Sequence, residues 1–117
     1  MADEFHIDDF LEKLKVKLNF YGFRFSRERV ENRETMKELS LSRLSLKGIL
    51  SELTLENYSE GPIIDEEEGD NYYVFGIEID NREIYIKLNS GKENEQVICH
   101  SFHFAKFRMK YPKKIIK

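Results

Sequence analysis

Residues 72–88 read Tyr-Tyr-Val-Phe-Gly-Ile-Glu-Ile-Asp-Asn-Arg-Glu-Ile-Tyr-Ile-Lys-Leu. Apolar side chains alternate with other side chains on both sides of the Asp-Asn pair, and such alternation is typical of strands with one buried face. Asp80 and Asn81 both tolerate the left-handed backbone of a tight hairpin turn. The stretch therefore predicts an antiparallel hairpin.

A further strand follows this hairpin, and helices precede it. Residues 89–92, Asn-Ser-Gly-Lys, predict a looser connection to a strand from Val97 to Phe104. Apolar residues that recur at helical spacing predict helices at about residues 8–20, 32–39 and 43–52.

Shorter segments join these elements. Gly22 is a natural end for the first helix, and Ser42 can cap the third. The aromatic residues at 20–25 predict a short extended segment. Gly61-Pro62 and the acidic run 65–70 predict a loop, because close like charges repel one another.

Helices that come first and strands that come last indicate an α+β fold. We predict a single domain over residues 1–117. N-terminal helices within about 8–53 pack on one face of a three-stranded, or slightly larger, antiparallel sheet within about 71–104. A basic tail follows at 105–117.

Composition limits the classes of function. With 117 residues and 40% hydrophobic residues, the chain suits one packed domain rather than a disordered segment. Its apolar runs are too short to span a bilayer, and its first residues do not form a secretion signal. The single Cys99 can form neither an internal disulfide nor a cysteine-based metal site. We expect a cytoplasmic protein without membrane contact, metal or cofactor.

The net charge of −3 hides an asymmetry along the chain. Residues 1–81 carry 19 acidic and 10 basic side chains, whereas residues 82–117 carry 3 acidic and 9 basic ones. The basic end is either a solvated tail or an edge that contacts phosphates, because a local basic stripe can bind nucleic acid despite an acidic total.

Strand parity assigns side chains to the two faces of the predicted sheet. On the hairpin's second strand, Ile84, Ile86 and Leu88 are predicted to face the core. The opposite, open face is then predicted to carry these residues: Glu83, Tyr85 and Lys87 on one strand, and Val97, Cys99, Ser101 and His103 on the next.

Parity also predicts that Ile98, Phe102 and Phe104 face the core, unless a bulge intervenes. His100 shares that parity and is interpreted as a hydrogen-bonded core or edge histidine. The expected register places Tyr85 near Ser101, and His103 near Glu83.

The polar set on the open face is suited to RNA cleavage without a metal. Such cleavage needs a base for the 2′-hydroxyl, an acid for the leaving oxygen and cations for the phosphate. His103 is the candidate for proton transfer because histidine commonly titrates near neutral pH. Lys87, Lys106 or Arg108 could hold the phosphate, and Tyr85 could donate a hydrogen bond or stack a base. The alternative is that these residues form an ordinary solvent-exposed polar face of the sheet without a catalytic role.

Short stretches of the second half carry a family resemblance. They are residues 53–62 (Leu-Thr-Leu-Glu-Asn-Tyr-Ser-Glu-Gly-Pro), 73–76 (Tyr-Val-Phe-Gly), 83–88 (Glu-Ile-Tyr-Ile-Lys-Leu), 97–103 (Val-Ile-Cys-His-Ser-Phe-His) and 109–112 (Met-Lys-Tyr-Pro). In these stretches the chain resembles the MqsR toxins, the RNA-cleaving partners of toxin–antitoxin pairs. The resemblance implies a RelE-like fold and a metal-independent endoribonuclease that cuts mRNA and is neutralised by a cognate antitoxin. It leaves participation of the ribosome open.

Carried over by position, the resemblance assigns the family's sheet tyrosine to Tyr85 and its last catalytic cation to His103. Two family positions differ: a lysine corresponds here to Glu60, and a glutamine corresponds to Val74. Their roles are either lost or moved to basic residues elsewhere, for which the candidates are Arg24, Arg27, Lys106 and Arg108.

Two other functions stay open at this point. One is a non-catalytic interaction module, similar to an immunity or antitoxin protein, that uses its acidic loop at about residues 60–70 to mimic nucleic acid. The other is a toxin of RelE-like fold that acts on a protein target. The sequence pI of about 5.7 favours the first of these, because a protein that binds RNA is more commonly basic.

Overall fold

The first helix begins at a side-chain cap and buries one apolar stripe. In the computed structural model, which describes residues 2–64 and 71–114, α1 spans Glu4–Tyr21. A carboxylate oxygen of Asp3 accepts a hydrogen bond from the His6 amide at 3.0 Å, and this bond lowers the pKa of Asp3. The predicted start near residue 8 is wrong because Asp3 caps the helix one turn earlier. Gly22 ends it at a φ of +73°, as predicted.

Two shorter helices follow a three-residue strand. The strand β1 spans Phe23–Phe25, α2 spans Val30–Glu38 and α3 spans Arg43–Ser51. Helix α3 is capped by Ser42 as predicted, and its buried side chains are apolar. Helix α2 differs because its buried side chains are the polar Asn32 and Thr35.

The described residues also form a short 3₁₀ turn, Leu55–Asn57, and four further strands. They are β2 (Tyr58–Ile64), β3 (Asn71–Ile79), β4 (Arg82–Asn89) and β5 (Val97–Phe104). The sheet has the order β1-β5-β4-β3-β2, in which β1 runs parallel to β5 and the other neighbours are antiparallel. The fold is thus α+β with a mixed sheet.

The prediction of an antiparallel sheet of three strands, or slightly more, is confirmed only in part: the sheet has five strands, and the β1–β5 pair is parallel. Gly61-Pro62 lies inside β2 rather than in a loop, because β2 is an edge strand and an edge position tolerates a proline. At the other edge, β1 was predicted as an extended segment but not as a sheet partner. The predicted acidic loop at 65–70 lies outside the described residues.

A hydrophobic cluster under one face of the sheet joins α1 and α3 to the central strands. Ile84, Ile86 and Leu88 face this cluster as predicted and are fully buried. Burying each such side chain contributes roughly 1.5–3 kcal/mol before entropic costs. Of the helices in the described ranges, none is long and apolar enough to cross a membrane.

A bulge at His100 changes the parity of β5. Lys87 pairs with Ser101 and Leu88 pairs with Cys99, so one step along β4 matches two steps along β5. The prediction that Val97 and Cys99 lie on the open face and Ile98 in the core is therefore wrong: Val97 and Cys99 belong to the core cluster, and Ile98 pairs with Asn89 on the other face. The predicted register is also wrong, since Tyr85 pairs with His103.

Asn32 of α2 satisfies the backbone beside this bulge. The strand β1 ends opposite Cys99, so it cannot pair with the residues of β5 that follow. The side-chain amide of Asn32 forms hydrogen bonds with the β5 backbone there instead. Its nitrogen donates to the His100 carbonyl at 3.2 Å, and its oxygen accepts from the Phe102 amide at 2.9 Å. A polar helix is thereby fixed against β5, close to His103.

Candidate functional site

Tyr85 and His103 form a stacked cross-strand pair on the open face. Their ring centroids are 5.3 Å apart and their planes differ by 14°. They are direct partners in the β4–β5 register, where side chains on the same face stand close together. The two residues singled out from the sequence are therefore brought together by the sheet itself.

The hydrogen bonds of His103 indicate which ring nitrogen can exchange a proton. Nδ1 lies 3.0 Å from the Phe104 carbonyl oxygen, which can only accept, so Nδ1 carries a hydrogen. Nε2 is then left as the exchangeable position. A carboxylate oxygen of Glu31 on α2 lies 3.7 Å from Nε2 and 3.4 Å from the Lys106 ammonium.

Glu60 of β2 lies at the same site. A bulge at Ser59 lets Tyr58 pair with Phe75 on the core side while Glu60 pairs with Val74. Burial, and secondly the negative charge of Glu60, raise the pKa of the Tyr85 phenol. Tyr85 therefore keeps its proton at neutral pH, and its hydroxyl can donate a hydrogen bond to a ligand in the cleft.

These groups border a cleft of about 630 Å³ between the sheet and the chain that follows β5. Its cationic side comes from Lys106, Arg108 and Lys110, and its apolar rim comes from Phe107 and Met109. The cleft therefore combines a phenol, an imidazole and a carboxylate with several cations, which suits a phosphate-containing ligand.

The chain after β5 is held across the open face by Glu83. The Ala105 amide donates to the Glu83 carbonyl at 2.9 Å, and the Met109 amide donates to its carboxylate at 3.1 Å. The Tyr111 hydroxyl donates to the second carboxylate oxygen at 2.7 Å. Burial and this bond to Glu83 raise the pKa of Tyr111 strongly. The predicted basic tail is thus folded against the sheet as far as Tyr111.

The other predicted site residues lie away from the cleft lining. The Lys87 ammonium sits 5.1 Å from the ring centroid of Tyr72, and Ser101 is a buried partner of Lys87. Arg27 is exposed on the connection between β1 and α2. The structure therefore groups Tyr85 and His103 with Lys106 and Arg108, and separates them from Lys87, Ser101 and Arg27.

His100 is half-buried and fully engaged, in contrast to His103. The Arg29 guanidinium donates to its Nε2 at 2.7 Å, and its Nδ1 lies 3.0 Å from the Ser26 hydroxyl. The Tyr72 ring packs beside it at 5.2 Å. The interpretation as a hydrogen-bonded histidine is confirmed, although it sits at the bulge rather than in the core.

Glu60 and Phe107 line the cleft, and strand parity predicts neither; the family resemblance marks the position of Glu60, but only as one where the family's lysine is replaced. Glu60 precedes Gly61-Pro62, which indicated a loop, and the Ser59 bulge that turns it to the open face leaves no periodic signal. Phe107 gave a usable signal: it is an aromatic residue between Lys106 and Arg108. Such interleaving of aromatic and basic residues is typical of nucleic-acid contacts.

No family model, curated protein or solved structure matches this chain. Across residues 2–64 and 71–114, no three histidine, cysteine or acidic side chains are grouped closely enough to hold a metal ion.

Proposed function

We propose that this protein is an RNA-cleaving toxin, a metal-independent endoribonuclease of RelE-like fold that cuts mRNA and is neutralised by a cognate antitoxin. The observation that carries the proposal is the stacked Tyr85–His103 pair beside a cationic cleft that also holds Glu60. The resemblance of residues 53–112 to MqsR toxins supports the biological setting.

Each chemical role in RNA cleavage has a candidate at this site. The 2′-hydroxyl oxygen attacks the adjacent phosphorus while its proton passes to the Glu60 carboxylate. The bond from phosphorus to the 5′-oxygen breaks as protonated His103 gives its Nε2 proton to that oxygen. The products are a 2′,3′-cyclic phosphate and a 5′-hydroxyl end, and the original proton balance is restored by exchange with water.

The remaining groups stabilise charge and orientation. Lys106 and Arg108 face the cleft and can neutralise the developing negative charge on the phosphate. The Tyr85 hydroxyl, which stays protonated, can donate to a phosphate oxygen while its ring fixes the imidazole by stacking. The Glu31 carboxylate lies 3.7 Å from Nε2 and 3.4 Å from the Lys106 ammonium, and it attracts both the protonated imidazole and Lys106.

Inducible expression in a bacterial host, with mapping of new RNA 5′ ends, tests the proposal. Wild type is expected to arrest growth and to produce 5′-hydroxyl ends at a recurring short sequence. His103→Ala is expected to lower cleavage by about 10²–10⁴-fold, the usual loss for a general acid. His6→Ala is the matched control, because His6 is exposed on α1 far along the chain from β5.

Tyr85→Phe separates the hydroxyl from the ring, since it keeps the stacking partner of His103. If soluble, folded His103→Ala cleaved RNA as well as wild type does, His103 would not be a catalytic residue and the site assignment would be wrong. Growth arrest without new RNA ends would favour a toxin that acts on a protein target.

A non-catalytic interaction module is the second candidate, and one observation favours it. Glu31, Glu34 and Glu38 line a groove of about 610 Å³ on the α2 side of His103. This acidic row can mimic nucleic acid toward a basic partner, the role that the sequence assigns to the acidic loop at about residues 60–70. Normal growth and unchanged RNA ends on expression of wild type would support this module over both toxins.

A further inference from the structure

The loop that carries Lys106, Phe107 and Arg108 is fixed at both ends by one residue. Glu83 accepts the Ala105 amide through its backbone carbonyl at 2.9 Å and the Met109 amide through its side chain at 3.1 Å. Because the loop is short and tied on both sides, its side chains are held beside the cleft before any ligand arrives. Such preorganisation lowers the entropic cost of binding.

Phe107 is the most exposed large hydrophobic residue in the described part of the chain, with 86% of its surface accessible. Its ring contributes to the same cleft as Tyr85 and His103. An aromatic ring that is exposed to water on a loop fixed at both ends contributes no buried apolar surface to the core. Its exposure is explained if a ligand with a flat face covers it.

We propose that Phe107 is a stacking platform for a nucleobase of single-stranded RNA next to the cleaved phosphate. The cations on both sides of it, Lys106 and Arg108, contact the neighbouring phosphates. This inference rests on the proposed function and adds the strandedness of the substrate and the residue that grips it. An exposed ring between cations is the arrangement that binds single strands, because every base has a face to stack and duplexes hide that face.

The arrangement also limits the kind of specificity that Phe107 supplies. Stacking on a ring does not read the hydrogen-bonding edge of a base, so Phe107 contributes affinity and a preference for large bases. Identity of the cleaved sequence must come from groups other than this ring.

Binding can be measured by fluorescence because the chain has no tryptophan, so that one introduced tryptophan gives a unique signal. A probe that cannot be cleaved keeps this measurement separate from catalysis. Phe107→Trp introduces a single fluorescent reporter, and Phe20→Trp on α1 is its matched control, since Phe20 is 75% exposed. A short single-stranded 2′-O-methyl oligoadenylate, which lacks the attacking hydroxyl, serves as probe. We expect saturable quenching for the Phe107→Trp reporter and none for the control, with no quenching by the same sequence in a duplex.

Leucine variants then measure the contribution of stacking. Phe107→Leu is expected to weaken binding of the oligoadenylate by roughly 5- to 100-fold without changing the salt dependence, whereas Phe20→Leu leaves the affinity unchanged. Lys106→Ala is expected to reduce the slope of log affinity against log salt by about 0.7, because one phosphate contact with a single strand is lost.

The outcomes separate this inference from the proposed function. Wild-type affinity in Phe107→Leu, in a protein that still cleaves RNA, would overturn the stacking role and leave the endoribonuclease intact. A wild type that neither binds the oligoadenylate nor produces new RNA ends would overturn both. Equal quenching by single strand and duplex would overturn the preference for single strands.

Discussion

Glu83 and Tyr85 lie two residues apart on the same face of β4, yet their surroundings differ. At Glu83 the face is covered: Met109 and Tyr111 are tied to its carboxylate, and Tyr111 packs over Gly76. At Tyr85 the face is open: the phenol stacks on His103 and borders a cleft. We call these regions the covered end and the cleft end.

The difference shows how a small sheet can carry both a packed surface and a site. A polar residue at the covered end is used to hold the chain, and the chain so held forms one wall of the cleft. Side chains at the cleft end instead border open space, where they are accessible to a ligand. Substitutions at the covered end should therefore act mainly on stability, and substitutions at the cleft end mainly on activity.

The largest expected effect is on activity at the cleft end. Glu60→Gln keeps the size of the side chain but removes the proposed base, so cleavage of an RNA oligonucleotide should fall by about 10²–10⁴-fold. Glu60 is exposed, so the free energy of unfolding should change by less than about 0.5 kcal/mol. Urea unfolding and initial cleavage rates, measured on the same preparation, check both parts. A large loss of stability would break the separation between the two ends.

At the covered end, Gly76→Ala should cost stability. A Cβ atom at Gly76 would overlap the Tyr111 hydroxyl and lie 2.8 Å from the Met109 sulfur. Overpacking of this kind costs roughly 1–3 kcal/mol, measurable as a lower urea midpoint. The matched control is Gly48→Ala on α3, where a Cβ would meet no described atom within 4 Å outside its chain neighbours and its own helix backbone, and alanine should stabilise the helix by about 0.5–1 kcal/mol. Equal shifts in both variants would contradict the close packing.

A smaller loss is expected for Tyr111→Phe, which removes one hydrogen bond to Glu83. The free energy of unfolding should fall by about 1–2 kcal/mol, because the acceptor is a half-buried carboxylate. Tyr21→Phe is the control: its hydroxyl donates to Asn94 at 3.2 Å on an exposed surface and should matter little. If the two variants were equally stable, the Glu83 bond would not be what holds the covered end.

The last prediction concerns the core face: its effect on stability is absent at neutral pH, where it is the smallest of all, and grows only in alkali. Burial raises the pKa of the Cys99 thiol from its ordinary value of 9 to about 12. Below pH 9 the thiol is protonated in folded and unfolded chains alike. Between pH 9 and pH 12 the unfolded chain loses the proton first, so stability falls by about 1.4 kcal/mol per pH unit.

Cys99→Ala should remove that part of the slope. Unfolding by urea across this pH range measures it, with the variant and wild type compared at each pH. Tyr85 and Tyr111 also have raised pKa values, so some alkaline slope should remain. An unchanged slope in the variant would mean that the thiol is not kept protonated by burial.

The predictable part of this fold is the part with unbroken periodicity. The spacing of apolar residues alone predicts both a strand with one buried face at Ile84, Ile86 and Leu88 and a helix at the apolar stripe of α1. The hairpin turn is equally clear, since Asp80 and Asn81 do adopt positive φ.

The unpredicted part depends on contacts between distant segments. The bulges at Ser59 and His100 add a residue to one strand only, so parity read from a single strand fails beyond them. Asn32 supports the His100 bulge from a helix that is remote in sequence, which no local pattern reveals. Tyr85 and His103 were assigned to one face from sequence, whereas their direct pairing required the observed register.

Helix α2 is hydrogen-bonded to β5 through the Asn32 amide, and its fully buried side chains are polar, whereas Met36 is only partly buried against the core. Detachment of α2 from β5 would break these hydrogen bonds but expose little apolar surface to water. Because denaturant sensitivity and heat capacity both scale with exposed surface, such an opening would be almost silent in urea titrations and calorimetry. It would nevertheless carry Glu31 away from His103, so a local opening of α2 would change the charge around the imidazole while the buried strands of the core stay packed.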